Sequence, residues 1–299
     1  MNKILIIGAQ NTDIFSKSAS RLVNGDSNPS KINISFGGVG RNIAVNLSRL
    51  GHEIHFITVF GDDVFSQSAQ QNLKTLNLHT NHSLFLKNQN NSIFIGVMDQ
   101  ENNLHLGLAD MEIVDDLNPD FFKTKKDFIE SFDVLVIDNN LSAKAIEYLL
   151  HQYKNKKIIM DAVSAQKAPK LLPYLPYINV LKVNQLELNE LSNKTSTEEQ
   201  LNDLHKKGAQ NILLTQEEQE AILSRFENKI SQKPDIVKDI INTSGAGDAF
   251  LSGFIHGMVN EYSVIENLKL ANSAAKITMG SVDSTSNELN EIEIKRHIK

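Results

Sequence analysis

The chain has 299 residues, 40% of them hydrophobic, enough for one large core or one core with a small appendage. Its formal charge is −6 with no long basic run, which argues against binding nucleic acid by phosphate neutralisation. Cysteine is absent, so disulfides, thiolate catalysis and cysteine-held metals are excluded, and no apolar run approaches the ~18 residues of a membrane span.

In chain order, "ILIIG" (4–8) is too short for a signal peptide and reads as a buried strand, so a soluble cytoplasmic protein is expected. "GAQNTD" (8–13) follows as an Asx-rich turn, and 13–36 is polar and loop-like with strand potential at "KINISF" (31–36). "GGVGRN" (37–42) leads into a helix over 41–50, with Ile43, Leu47 and Leu50 on one face and Gly51 as its stop. "SIFIGVMD" (92–99) and "NLHLGLAD" (103–110) alternate with period two around a short turn and predict a hairpin. "VLVID" (134–138), "KIIMDA" (157–162), "VLKVN" (180–184) and "NILLT" (211–215) are short and unalternating, as parallel strands covered on both faces are. Ser196 and Glu199 predict a capped helix over 196–207 with Leu201 and Leu204 inward and Gly208 at its end; Ser263 and Glu266 do the same for 263–279, which ends at Gly280. Between them, "VKDII" (237–241) reads as a strand, and "NTSGAGDAF" (242–250) opens a helix whose Phe250, Phe254 and Met258 share a face. Strand–helix alternation over most of the chain predicts one α/β domain over 1–299, a doubly wound, mostly parallel sheet. The segments that break the pattern, approximately 13–36 and 85–109, predict a small β lid or dimer contact.

Four stretches carry candidate chemistry. In "NTSGAGDAF", Gly245, Ala246 and Gly247 would present bare N–H groups at a helix N-terminus, which suits a phosphate oxygen or developing negative charge. Asp248 in the first turn would either cap the helix or take a proton from an alcohol. In "GGVGRN" the glycines let backbone approach a ligand, and Asn42 offers both donor and acceptor. Asn11 and Asp13 in "GAQNTD" could hydrogen-bond a polyol. In "KVNQLELNEL" (182–191), Asn184 and Glu187 could organise a magnesium–water shell. Each stretch taken singly is also what an ordinary turn or capped helix looks like. All four fall at the carboxyl ends of predicted strands, where ligands of open α/β sheets bind.

On these residues the chain is identified as a member of the ribokinase-like (PfkB) carbohydrate and nucleoside kinases. "GGVGRN" resembles that family's GGxxxN signature, "NTSGAGDAF" its DTxGAGD signature, and "KVNQLE" its (K)xNxxE element, in the family's order over essentially the whole chain. Within the family, "DSNPSKI" (26–32), "ADM" (109–111), "DAVSAQK" (161–167) and Asn242 in place of Asp resemble the pseudouridine kinases. The resemblance implies ATP-dependent phosphorylation of the 5′-hydroxyl of pseudouridine. Asp248 would be the base, and Gly245, Ala246 and Gly247 the anion hole. Asp13, Gly38 and Asn42 would hold sugar hydroxyls, Asn11 and Asp110 the nucleoside, and Lys167 and Arg41 the substrate or phosphate. Asn184 and Glu187 would serve phosphate and magnesium, Glu187 through water; Thr215 and Asn272 would line the nucleotide. Mg²⁺, a monovalent cation such as K⁺, and a homodimer through the lid are implied in the same way, with no nucleic acid and no membrane as partner. The chain departs from the family at "TQEEQE" (215–220), where a T-x-G-x-x-G turn is usual; three carboxylates replace its glycines and put the nucleotide pose in question. Another nucleoside or sugar kinase of the family, or a weakly catalytic nucleoside-binding regulator, are the alternatives.

Overall fold

The unalternating apolar runs become strands buried on both faces. In the computed structural model, residues 3–101, 103–216, 219–226, 228–234 and 240–296 are described. Strand β1 (Ile4–Ile7) is buried throughout: Leu5 and Ile7 enter one core cluster, Ile4 and Ile6 another. That two-sided burial is why the run has no polar alternation.

From β1 the chain enters the lid through β2 (Asn11–Ser18) and β3 (Ser30–Gly37), and returns in α1 (Val39–Arg49). Next come β4 (Ile54–Ile57), β5 (Val59–Phe60), α2 (Val64–Thr75) and β6 (Leu84–Phe85), then the hairpin of β7 (Ile93–Met98) and β8 (Leu104–Asp110). Two short helices, α3 (Pro119–Thr124) and α4 (Lys126–Glu130), precede β9 (Val134–Asp138), α5 (Ala143–Gln152), β10 (Lys157–Asp161) and β11 (Val180–Asn184). The chain continues through α6 (Gln185–Leu191), α7 (Thr197–Lys206), β12 (Asn211–Thr215), β13 (Ala221–Arg225) and β14 (Asn228–Gln232), and closes with α8 (Ala246–Val259), α9 (Val264–Met279) and α10 (Glu291–Arg296).

The central eight-stranded sheet runs β14-β13-β12-β11-β10-β9-β1-β4. It is parallel from β4 to β12 and antiparallel at β13 and β14. Strand order reverses beside β1, so the crevice beyond the carboxyl ends of β1 and β9 is the switch point where a ligand is expected. Ile43 and Leu47 of α1 and Phe250, Phe254 and Ile255 of α8 cover one face; Ile146 and Leu149 of α5, Leu188 of α6 and Leu204 of α7 cover the other. Both serine capping boxes form with reciprocal hydrogen bonds.

The segments expected to form a lid make a separate four-stranded sheet, β3-β2-β7-β8. Residues 11–18 are an eight-residue strand at its centre, where the sequence reads as turn and loop. Among the elements not anticipated are β4, whose four-residue run is interrupted by His55, and the antiparallel extension β13–β14. The strand expected over 237–241 does not extend to Ile240 and Ile241, which lie outside any strand; residues 237–239 fall outside the described set.

Candidate active site

The site is built where β1 and β9 end. Asp138, the last residue of β9, is 1% exposed, and its Oδ2 accepts from the N–H of Ala9 and of Gly40, both at 2.8 Å. One carboxylate thus ties the end of β1 to the start of α1. Burial raises its pKa despite these donors. The sequence gives Asp138 only as a strand end; its role depends on long-range topology.

The glycines of "GGVG" then have specific reasons. Gly38 has φ 101°, and a Cβ there would stand 2.9 Å from Asn11 Oδ1. A Cβ on Gly37 would collide with the Asp13 carboxylate. Asn11 donates from Nδ2 to Asp13 Oδ1. Burial pushes the Asp13 carboxyl up to about 6, opposed by the Arg41 charge and the Asn11 hydrogen bond.

Asn42, in the first turns of α1, donates from Nδ2 to Asp248 Oδ2 at 2.8 Å, and Ser284 donates to Asn42 Oδ1 at 3.1 Å. Asp248 lies in the first turn of α8 and is 8% exposed. Its pKa is raised to about 7 by burial and the nearby Asp161 charge, against the Asn42 hydrogen bond and Lys182. Gly245, with φ 76°, caps the helix, and a Cβ on it would strike the Ser284 carbonyl. Asn242 donates from Nδ2 to Val282 O at 2.8 Å while its Oδ1 accepts from the N–H of Ser244 at 2.9 Å. An aspartate there could make only the second bond, which gives the asparagine a local reason.

A second cluster lies against the same helix start. Lys182 of β11, 5% exposed, pairs with Asp161 at 3.1 Å, and a Cβ on Gly247 would stand 2.9 Å from its Nζ. Burial works to discharge Lys182, but Asp161, Glu187 and Asp248 outweigh it and raise its pKa. Asp161 is held by an N–H of Val163 at 2.7 Å, and Val163 takes φ 70°, a costly conformation for a β-branched residue. Asn184 and Glu187 form a reciprocal capping box: Glu187 N–H donates to Asn184 Oδ1 and Asn184 N–H to Glu187 Oε2, both at 2.8 Å. The Asn-x-x-Glu spacing is that of such a cap, where the sequence reads a magnesium–water shell. Burial raises the Glu187 carboxyl, and Lys182 opposes it.

The other expected site residues are more dispersed. Lys167 donates from Nζ to Asn140 Oδ1 at 2.5 Å, beside the end of β9. Thr215 sits opposite Asn184 at the end of β12, and Asn272 donates to the Gln232 carbonyl of β14 at 3.3 Å. Arg41 donates to Phe36 O, Asn42 Oδ1 and Asn72 Oδ1, tying α1 to the lid and to α2. Asp110 ends β8 opposite Ile93, whose lid face it shares with Thr12; Asp13 points to the other face. Of "TQEEQE", Glu217 and Glu218 fall outside the described residues.

The model of the pfkB family carbohydrate kinases matches residues 1–291. The chain belongs to that family. A pseudouridine kinase of Escherichia coli (strain K12) is 28% identical over 289 residues, covering 95% of this chain and 92% of the relative. A guanosine-inosine kinase of Exiguobacterium acetylicum is 26% identical over 292 residues, covering 95% and 96%. Among solved structures, a carbohydrate kinase from Agrobacterium tumefaciens superposes with TM-score 0.88 at 26% identity, covering 100% of this chain and 97% of that one. As a pfkB-family kinase, the protein is a phosphotransferase with an alcohol acceptor, of the sugar and nucleoside class.

Like Asp138, other features of this kinase carry no role in the sequence alone. Lys182 enters only as the lysine of "KVNQLE", and Asp161 only within "DAVSAQK". Phe15 and Phe94 belong to the lid face of Asp13, with ring centroids 5.8 Å apart and both rings half-buried. Strand periodicity would have placed both on that face had residues 11–18 been read as a strand.

Proposed function

We propose that this kinase transfers the γ-phosphoryl group of ATP to the 5′-hydroxyl of pseudouridine. The observation that carries the chemistry is Asp248: a buried carboxylate in the first turn of α8, beside the N–H groups of Gly245 and Gly247, whereas the Ala246 N–H, expected to be free, donates to Thr243 O at 3.3 Å. Asn42 engages Oδ2, which leaves Oδ1 to take the hydroxyl proton. A base poised near neutral pH is well matched to that task. The helix N-terminus faces the charge that develops on the transferring group, and Lys182 behind Gly247 adds a fixed positive charge.

Lys182 pairs with Asp161 at 3.1 Å, and the charges of Glu187 and Asp248 also favour its ammonium form. A hydrated Mg²⁺ would reach this cluster through Glu187, whose Oε1 and Oε2 already accept from Asn184 at 3.2 and 2.8 Å, with water between ion and carboxylate. When bound, the ion supplies charge neutralisation to the phosphates. Thr215 and Asn272 would line the nucleotide.

The acceptor reading rests on the similarity to a pseudouridine kinase and on the lid. Asp13, Asn11 and Gly38 would hold ribose hydroxyls, while Phe15 and Phe94 offer half-buried rings for a planar base. Lid closure would exclude water, whose phosphorylation is simply ATP hydrolysis. The opposite lid face carries Ile32, Ile34, Leu106 and Leu108 at 49–56% exposure, aligned across the sheet with Ile14, Ile95 and Val97. An apolar face of that kind supports a homodimer through the lid.

A panel of acceptors with ATP and purified protein tests the reading. Pseudouridine should be turned over far better than uridine, inosine, ribose or fructose. Equal use of a free sugar would overturn the nucleoside assignment, and equal use of uridine the pseudouridine one.

A further inference from the structure

We propose that Glu53, His55 and His79 form a binding site for a divalent transition metal of the Zn²⁺ type, separate from the phosphoryl-transfer centre. The Nε2 atoms of His55 and His79 lie 3.5 and 4.0 Å from Glu53 Oε1, and one ligand atom from each residue fits within 4.8 Å of the other two. A tetrahedral zinc with bonds of roughly 2.0–2.1 Å sets its ligand atoms about 3.4 Å apart, so the observed cluster needs only a small contraction.

The backbone explains why the side chains converge. β4 is the outer strand of the central sheet, and the segment around His79 is stitched to its free edge. Phe56 N–H donates to His79 O at 2.9 Å, and His79 N–H to Ile54 O at 3.1 Å. This parallel bridge sets His55 and His79 side by side, with rings stacked at 4.7 Å and an interplanar angle of 27°. Glu53, two residues before His55, adds a carboxylate on the same side. The rings of Phe128 and Phe132 pack edge-on against His55, centroids at 5.6 and 5.1 Å, and limit its rotation. Two of the three ligands are thus positioned by structure. Glu53 is 76% exposed at its side chain, which leaves an open path for the ion and room for a water as fourth ligand.

Two imidazoles and one carboxylate favour Zn²⁺, Co²⁺, Ni²⁺ or Cu²⁺ over Mg²⁺. The cluster lies at the amino-terminal end of β4, whereas the reaction centre lies beyond the carboxyl ends of the parallel strands. A bound ion would therefore clip the 77–80 segment to the sheet edge and leave the chemistry alone.

Untagged protein, stripped with chelator and returned to Mg²⁺ buffer, should bind one equivalent of Zn²⁺ with micromolar affinity by calorimetry. A hundredfold excess over Kd should raise Tm by roughly 5 °C. Co²⁺ in its place should give visible absorption bands of a four-coordinate ion. Glu53→Gln, an exposed change that leaves the fold intact, should weaken Zn²⁺ at least tenfold, and His79→Ala should remove the Tm shift. His105→Ala, on the exposed lid, should change nothing. Absence of binding at about 100 µM Zn²⁺ would overturn the proposal. So would binding that survives both Glu53→Gln and His79→Ala, since the ion would then sit elsewhere.

Discussion

Asp248→Asn is expected to stop transfer and, at the same pH, to make the fold more stable. The Asp248 carboxyl is raised from 3.8 to about 7, chiefly by burial, then by the Asp161 charge. Three units at ~1.4 kcal/mol each put the cost of keeping it ionised in the fold at about 4 kcal/mol at most. The folded state binds this proton more tightly than the unfolded chain. The carboxyl therefore adds stability as pH falls below about 7, and its full cost stands above that pH. Asparagine keeps an oxygen for the Asn42 donor and carries no charge, but Lys182 loses one of three carboxylate neighbours. A net gain of about 1–4 kcal/mol follows, or roughly 2–8 °C in Tm for a chain of this size. Differential scanning fluorimetry of both proteins from about pH 8 down to about pH 5.5 would read it, with the gap widest at the alkaline end and closing as the wild-type carboxyl protonates. A variant less stable at every pH, or a gap independent of pH, would refute the reasoning about the site's charge balance.

Other outcomes follow from the same geometry. Lys182→Met should lower kcat by about a hundredfold or more and leave Asp161 buried without its partner, at about 3–5 kcal/mol in urea unfolding; adding Asp161→Asn should recover stability but not turnover. Phe15→Ala and Phe94→Ala should each raise KM for a nucleoside by roughly tenfold with little change in kcat, an effect read from initial rates over a range of acceptor concentration. The pH–rate profile of kcat/KM should rise towards a plateau with an apparent pKa near 7, because Asp248 must be ionised to accept the proton; a flat profile from about pH 5.5 upward would show that burial does not tune the base.

Much of this architecture is legible in single stretches, because a strand covered on both faces has no polar alternation and a helix cap uses local hydrogen bonds. Thus 4–8, 134–138 and 180–184 read as strands, and Ser196–Glu199 and Ser263–Glu266 as caps. What escapes is set by contacts distant in sequence. β2 reads as a polar turn because its middle residues, Asp13 to Ser16, are only half-buried in a separate sheet and do not enter a core. β4 is short, and His55 inside it is accommodated by Phe128 and Phe132 from much later in the chain. Around the site, Gly245, Gly247 and Asp248 announce themselves by composition. Asp138 and Asp161 look like ordinary strand ends, and their work depends on Gly40 in one case and Lys182 in the other. Asn184 and Glu187, read from the sequence as a magnesium–water shell, also form a capping box, and their shared spacing does not separate the two roles.

The most direct test is the rate of phosphate transfer from ATP to pseudouridine by wild type and Asp248→Asn, measured by single turnover with product separated chromatographically, alongside pseudouridine affinity by calorimetry. The variant should transfer at least a thousandfold more slowly, by roughly 4 kcal/mol of lost transition-state stabilisation, with acceptor affinity changed less than about fivefold. Near-normal transfer by Asp248→Asn would contradict its assignment as the base and with it the central account of this site.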